Sequence, residues 1–409
     1  QIGAQALIAR ERGAASEQTN QALLQASTAR DQAQASAREV NAGAQAANLR
    51  FAADTSADPA VSLLTAERIE SSLASNDLIL LTNSDITVNA DIGWKTNQTL
   101  TLRSGNAIQI NAGITVAGDS GGLALFHGAS GYTLGPLGKV NFNGAHNVFR
   151  VNGQNYTILH AWTGTTPVGS TGYYALGSDI DASGFNGYIS SFSGILDGLG
   201  HSLNKLTINR LETSNVGLFG TLSGTVANLQ LSDFSIGGKT NVGSVAGRVS
   251  STGSIRNVQT QGKLFGPGYN GYDNDLIGGI TGYNQGVIEN VFADVTIRGD
   301  DNLGGIAGIN EGKILRAGAY VDIALHTDSQ PYYGWVGGLV GKNASGGLIE
   351  NGFALGAVSG GTDGTGLQRI LQFHARVEDA QRLPHVHLGA PHRLGDVAGH
   401  HPAVQQPLV

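Results

Sequence analysis

From Ala60 to about residue 360, apolar and small polar positions alternate with period two, which predicts short strands rather than helices. The clearest runs are Leu78-Ile-Leu-Leu-Thr82, Ile86-Thr-Val-Asn-Ala-Asp-Ile92, Thr99-Leu-Thr-Leu-Arg103, Ile108 to Val116 and Leu123-Ala-Leu-Phe126. Turn residues such as Asn83-Ser-Asp85 and Gly118-Asp-Ser-Gly-Gly122 separate them. Strands this short and this closely spaced fit stacked coils better than a sandwich.

From Val216 to about Val358 the pattern repeats five times. Each copy has a Gly-punctuated apolar strand, a tight turn and a second strand. The copies begin at Val216, Val242, Ile277, Leu303 and Val336. The equivalent glycines Gly217, Gly243, Gly278, Gly304 and Gly337 are 26, 35, 26 and 33 residues apart. A short period carrying insertions predicts a solenoid, here a right-handed parallel β-helix over about residues 60 to 360. Val226, Ile255, Ile288, Ile314 and Ile349 occupy one inward position of the second strand, which predicts a continuous apolar column. Two residues later come Asn228, Asn257, Asn290 and Asn351, with Arg316 in the fourth copy. Asn tolerates left-handed corners and stacks its amide on the next, so these positions predict a structural ladder.

Composition changes this picture only at the ends. Residues 1–58 are rich in Ala, Gln, Ser and Arg, with too few large apolar residues for a buried stripe, which predicts a frayed helix or disorder. Residues 59–160 and 161–214 form two β-rich blocks before the repeats of 215–365. Residues 366–409 are irregular and hold 6 of the 11 His and 4 of the 9 Pro from residue 367 onward. That tail reads as out of frame, or alternatively as a metal-binding tract through His385, His387, His392, His400 and His401. The absence of Met and the start at Gln1 suggest an internal piece of a longer product.

The formal net charge of -7 gives no basic footprint for nucleic acid. No apolar run reaches the roughly 18 residues of a membrane span. Without Cys there are no disulfides, thiolate metal sites or cysteine nucleophiles. No His-Glu-x-x-His zinc motif, nucleophile elbow or phosphate-binding loop is present, so the chain is expected to be non-enzymatic and to need no cofactor. Asp197-Gly-Leu-Gly-His201 is the one stretch that supports the alternative of a β-helix polysaccharide hydrolase or lyase. Asp273-Asn-Asp275 and Asp300-Asp301 leave open an adventitious Ca²⁺ at a turn.

Candidate binding residues lie in the insertions. The two long steps add loops after the second strand that carry Tyr269 and Tyr272 in one copy and Tyr332, Tyr333 and Trp335 in another. Insertions at equivalent points emerge on one side, so these rings either share a receptor or sugar patch or pack against the scaffold. Arg298-Gly299-Asp300, in the turn between copies three and four, spells an integrin-recognition tripeptide.

The block Asp85 to Ile92, Leu100 to Ile114 and Gly138 to Phe142 resembles the body of filamentous-haemagglutinin-type proteins of Gram-negative two-partner secretion. Tyr173 to Asp181 and Gly194 to Ile208 resemble the segment that precedes GLUG repeats in such proteins, and the five copies are similar to the GLUG motif itself. The resemblance covers roughly residues 60 to 360 and lacks that family's N-terminal secretion domain. It implies a structural and adhesive part of a secreted or surface-exposed filament that attaches to a host-cell receptor or glycan. It also implies export through an outer-membrane transporter partner. A passive stalk, with binding elsewhere in the parent protein, is the bland alternative.

Overall fold

The computed structural model describes residues 48–52, 61–164, 168–267, 275–325, 334–359, 369–370 and 373–375. These are almost entirely β, and the strands between Leu78 and Ser359 pair with one another in parallel, except Val148–Val151 with Gln154–Leu159, which run antiparallel. The physical cause is the spacing of the apolar positions. Strand Val287–Gly299 buries Ile288, Val291, Ala293, Val295 and Ile297, while Phe292, Asp294, Thr296 and Arg298 point outward.

The copies of the repeat pair in register. Val226 lies beside Ile255, Ile255 beside Ile288, Ile288 beside Ile314 and Ile314 beside Ile349. All five are 5% exposed or less, and Leu196 extends the column one turn earlier. Burying each such side chain contributes about 1.5–3 kcal/mol. A second parallel sheet of six strands follows sequence order from Ser191–Phe192 to Val340–Asn343.

Glycine is required where the copies approach most closely. A Cβ on Gly278 would sit 2.1 Å from the Thr281 carbonyl oxygen and 2.5 Å from Ala307 Cα in the next copy. At Gly304 the corresponding distance to the Ala307 carbonyl is 2.2 Å.

Two apolar clusters run along the chain. One joins Ala66 to Val151 with Ala175 and Leu199, and the other runs from Leu159 to Val358. Residues 196–203 are shared between them, since Leu196 and Leu203 pack in the second cluster and Leu199 in the first. Leu199 adopts a φ of 51°, and its carbonyl accepts from Val140 N at 3.1 Å.

The sequence pattern did not foresee the start of the first cluster. Strands were expected from Ala60 onward, but Ala66–Leu73 is a helix, capped by Thr65 and burying Ala66, Ile69 and Leu73. Glu70 Oε1 accepts from Gly93 N at 2.7 Å, which ties the helix across the open end of the adjacent coil. Asn48–Ala52, within the segment expected to be helical or disordered, is a strand antiparallel to Val61–Thr65 and to Ile86–Val88. At the other end Arg369–Ile370 and Phe373–Ala375 pair antiparallel with Leu348–Ser359, although the tail sequence showed no strand alternation. The tail histidines from His385 lie outside the described residues, as do residues 1–47.

Candidate functional site

Two ladders of amides account for most of the conspicuous asparagines. Asn228, Asn257, Asn290, Arg316 and Asn351 all have φ between 53° and 54°. Asn257 Nδ2 donates to Asn228 Oδ1 and Asn290 Nδ2 to Asn257 Oδ1, each at 3.1 Å. Arg316 takes its place in the series by donating from Nε to Asn290 Oδ1 at 2.5 Å and from its guanidinium to Glu289. The second ladder went unnoticed in the sequence: Asn284 Nδ2 donates to Asn310 Oδ1 and Asn310 Nδ2 to Asn343 Oδ1, both at 2.8 Å. The available signal was the Asn that ends the strand before the turn in copies three to five, where copies one and two have Leu222 and Val249.

Asp197 begins the first ladder. Its carboxylate accepts from Asn228 Nδ2 at 3.0 Å, from Leu199 N at 2.8 Å and from the Tyr132 hydroxyl. The residue is 4% exposed, and burial raises its pKa against the opposing effect of those bonds. Burial and the neighbouring Asp197 likewise push Tyr132 well above the usual phenol range. His201 is equally buried, with Nε2 donating to the Val140 carbonyl at 2.8 Å and Nδ1 3.3 Å from Asp179 Oδ1. Desolvation lowers its pKa. Asp179 is held at about 2: burial alone would raise it, but Ser202 N and Lys139 Nζ, at 2.8 Å and 2.9 Å, outweigh that effect. Asp197 and His201 therefore knit the two clusters together inside the protein, where a polysaccharide has no access to them.

The predicted binding residues are scattered. Tyr269, Tyr272, Tyr332 and Tyr333 lie outside the described residues. Trp335 is half-buried and packs under Lys342, whose Nζ stands 4.3 Å from the ring centroid. Arg298 is exposed, but on a strand rather than a projecting turn, in register with Phe265 and Ala324. Gly299 is buried in the same strand, and Asp300 N donates to Asp275 Oδ2 at 3.3 Å. The structure thus places Arg298 and Asp300 around a strand end, with Trp335 on the adjacent strand, where its carbonyl accepts from Leu303 N at 2.9 Å.

What the sequence left unseen is a plate of aromatic rings on the outer face of the long strands. Gln259, Phe292, Gly318 and Phe353 form one outward column, and Gln261, Asp294, Tyr320 and Leu355 the next. The Phe292 ring lies 5.7 Å from Tyr320, edge to face, and 6.3 Å from Phe353. Gly318 lets the rings close over the backbone, since a Cβ there would meet Phe353 Cζ at 2.5 Å. Phe353 remains 43% exposed. Gln261 Nε2 donates to Asp294 Oδ2 at 3.1 Å within the Tyr320 column, and Asp322 Oδ1, one column farther from Phe353, accepts from Ala357 N at 3.2 Å. The rings come from three copies and from two positions within a copy, so no periodic signal announces them.

A family model described as the N-terminal region of M26 IgA1-specific metallo-endopeptidases matches residues 166–262. Halomucin of Haloquadratum walsbyi (strain DSM 16790 / HBSQ001) is 37% identical over 128 residues, which is 27% of this chain and 1% of halomucin. The chain thus spans a very small part of that relative. No solved structure matches. The metallo-endopeptidase match corrects the expectation that the chain is non-enzymatic, because it points toward a peptidase family. The residues do not fit that family's metal: among the described residues no group of three or more His, Cys, Asp or Glu side chains is placed to hold one. The same holds for the turn carboxylates at Asp275, Asp300 and Asp301. Among the described residues no helix is long and apolar enough to cross a membrane.

Proposed function

We propose that this chain is a right-handed parallel β-helical segment of a large surface protein of the filamentous-haemagglutinin type, and that it holds a binding face outward for attachment to a host-cell receptor or glycan. The observation that carries this reading is the parallel pairing of the five copies, shifted in register once between Leu231 and Phe234, which joins residues 26 to 35 positions apart. Right-handed crossovers are the rule for parallel strands joined within one sheet. The similarity to halomucin supports membership of a very long protein, and the apolar exterior around Phe353 supports a role in contact. Export of the parent through an outer-membrane transporter accompanies this reading. The test is attachment of beads coated with the purified full chain to cultured epithelial cells, compared with beads carrying an unrelated β-rich protein. Equal retention of the two removes the attachment role.

A second reading rests on the family match over residues 166–262. In it the parent is a surface metallo-endopeptidase directed at immunoglobulin A1, and this segment positions the antibody for a catalytic part elsewhere in the parent. Sedimentation of the full chain with immunoglobulin A1 tests it. Migration of the two as separate species excludes it.

A further inference from the structure

We propose that the aromatic plate formed by Phe292, Tyr320 and Phe353 is a glycan-binding site, and that it takes neutral rather than acidic sugars. This inference rests on the attachment role and gives that role a place and a ligand class. The first argument is exposure. Antiparallel pairing of Phe373–Ala375 beside Gly352–Ala354 covers the edge of the last strand, yet leaves the Phe353 ring 43% exposed. Solvent-facing side chains of a β-sheet are ordinarily polar, and an outward ring cluster gives up favourable hydration unless something covers it. A pyranose ring supplies such a cover, with an apolar C–H face for stacking and hydroxyls around its edge for hydrogen bonds.

The second argument is charge. The carboxylates of Asp294 and Asp322 stand in the neighbouring outward columns, and Gln259 and Gln261 add neutral amides. Lys263 shares the Asp322 column but lies two strands before it, and Arg298 stands one column farther along. On the other side Arg256 and Arg316 are both paired with Glu289. Among the described side chains, the columns of Phe292 and Tyr320 carry no cation to meet a sulfate, sialate or uronate, and two carboxylates repel one. Hydroxyl groups of a neutral sugar donate to those same oxygens. Phe353 is the most exposed stacking surface, Phe292 packs against it, Tyr320 packs in turn on Phe292, and Gly318 keeps the plate level.

The test is calorimetric titration of the full chain with three probes: chitohexaose and cellohexaose as neutral sugars, and a heparin hexasaccharide as the acidic one. Binding of at least one neutral probe is expected, with heparin weaker. Phe353→Ala is expected to weaken the neutral interaction at least tenfold at an unchanged melting temperature, and Phe353→Trp to restore it. Asp294→Lys is expected to shift preference toward heparin, and this arm keeps the test decisive if Phe353→Ala misfolds. Absence of neutral binding, tighter heparin binding by the unaltered chain, or an unchanged Kd in a folded Phe353→Ala overturns the inference. Beads that adhere to cells while no neutral probe binds overturn the plate and leave attachment standing. Beads that never adhere remove attachment itself.

Discussion

The coils before about residue 150 and the repeats after residue 210 solve the same corner problem with different chemistry. In the first region carboxylate and amide side chains accept backbone N–H groups of the next coil. Asp77 receives Thr99 N at 2.8 Å, Asp85 receives Ala107 N at 3.0 Å, Asp91 receives Gly113 N at 2.8 Å and Asn97 receives Ser120 N at 3.0 Å. No described non-glycine residue before Asn152 has a positive φ. In the repeats the corner residue itself turns left-handed, and its amide stacks on the amide of the next copy. The first device uses Asp and Asn side-chain oxygens as acceptors and leaves the backbone relaxed. The second accepts a strained backbone, lessened for Asn, and in return gains a side-chain chain that carries no charge along its Asn members.

The strongest way to break this contrast is Gly278→Val. The new side chain collides with backbone of its own hairpin and of the next copy, and backbone cannot move aside cheaply. A loss of about 4 kcal/mol or more is expected, confined to the second cluster. Trp162 belongs to that cluster and Trp94 to the first, so tryptophan fluorescence of single-Trp variants during denaturation separates the two.

Asp197→Ala attacks the join between regions. It leaves the Tyr132 hydroxyl, Asn228 Nδ2 and Leu199 N–H without their acceptor in a buried place, for a loss of about 3 kcal/mol. Because burial already favours the uncharged carboxyl, Asp197→Asn is expected to cost less than about 1 kcal/mol at pH 7. Equal losses for the two in urea unfolding refute the buried-acceptor role.

Acid sharpens the comparison further. Asp179 sits at about 2 in the folded protein, below its unfolded value of about 3.9, so its contribution is present above pH 4 and disappears as pH falls toward 2. His146 and Ala145 N likewise hold Asp119 below the usual carboxylate range, with the same sign. Amide exchange protection at Ala145 and Ser202 is expected to fall between about pH 4 and pH 2, while protection of Val258 and Val291, beside the amide ladder, is retained. The smallest effect is expected at the interruption of the ladder. Arg316→Asn restores an amide at a left-handed position and gives up only exposed contacts to Glu289, for a net gain of about 0.5 kcal/mol in thermal unfolding.

What was legible in the sequence follows from these interactions. The column Val226, Ile255, Ile288, Ile314 and Ile349 and the ladder from Asn228 recur because each residue packs on its own counterpart, and repetition in space leaves repetition in sequence. The helix Ala66–Leu73 occurs once, and its Ile69 and Leu73, four residues apart, sat inside an alternating background that hid a period of 3.6. In the sequence Asp197 stands out only as a carboxylate of the stretch that suggests a polysaccharide hydrolase or lyase, and its partners from Tyr132 and Asn228 reveal it as a buried acceptor. The aromatic plate was invisible for the opposite reason to the column. Phe292 and Phe353 are counterparts, but Gly318 interrupts their column and Tyr320 comes from the next one, so the rings leave no regular repeat in the sequence.

The in-register pairing also sets how length is measured in this protein. A step of 26 residues and a step of 35 both move the chain by one strand spacing, about 4.8 Å, because the second strand of each copy meets the same residue of the one before. Reach is therefore counted in copies and is indifferent to the number of amino acids each copy contains. Segments gained or lost between the strands alter what projects from the stacked strands at fixed extension, and duplication of a whole copy adds one strand spacing.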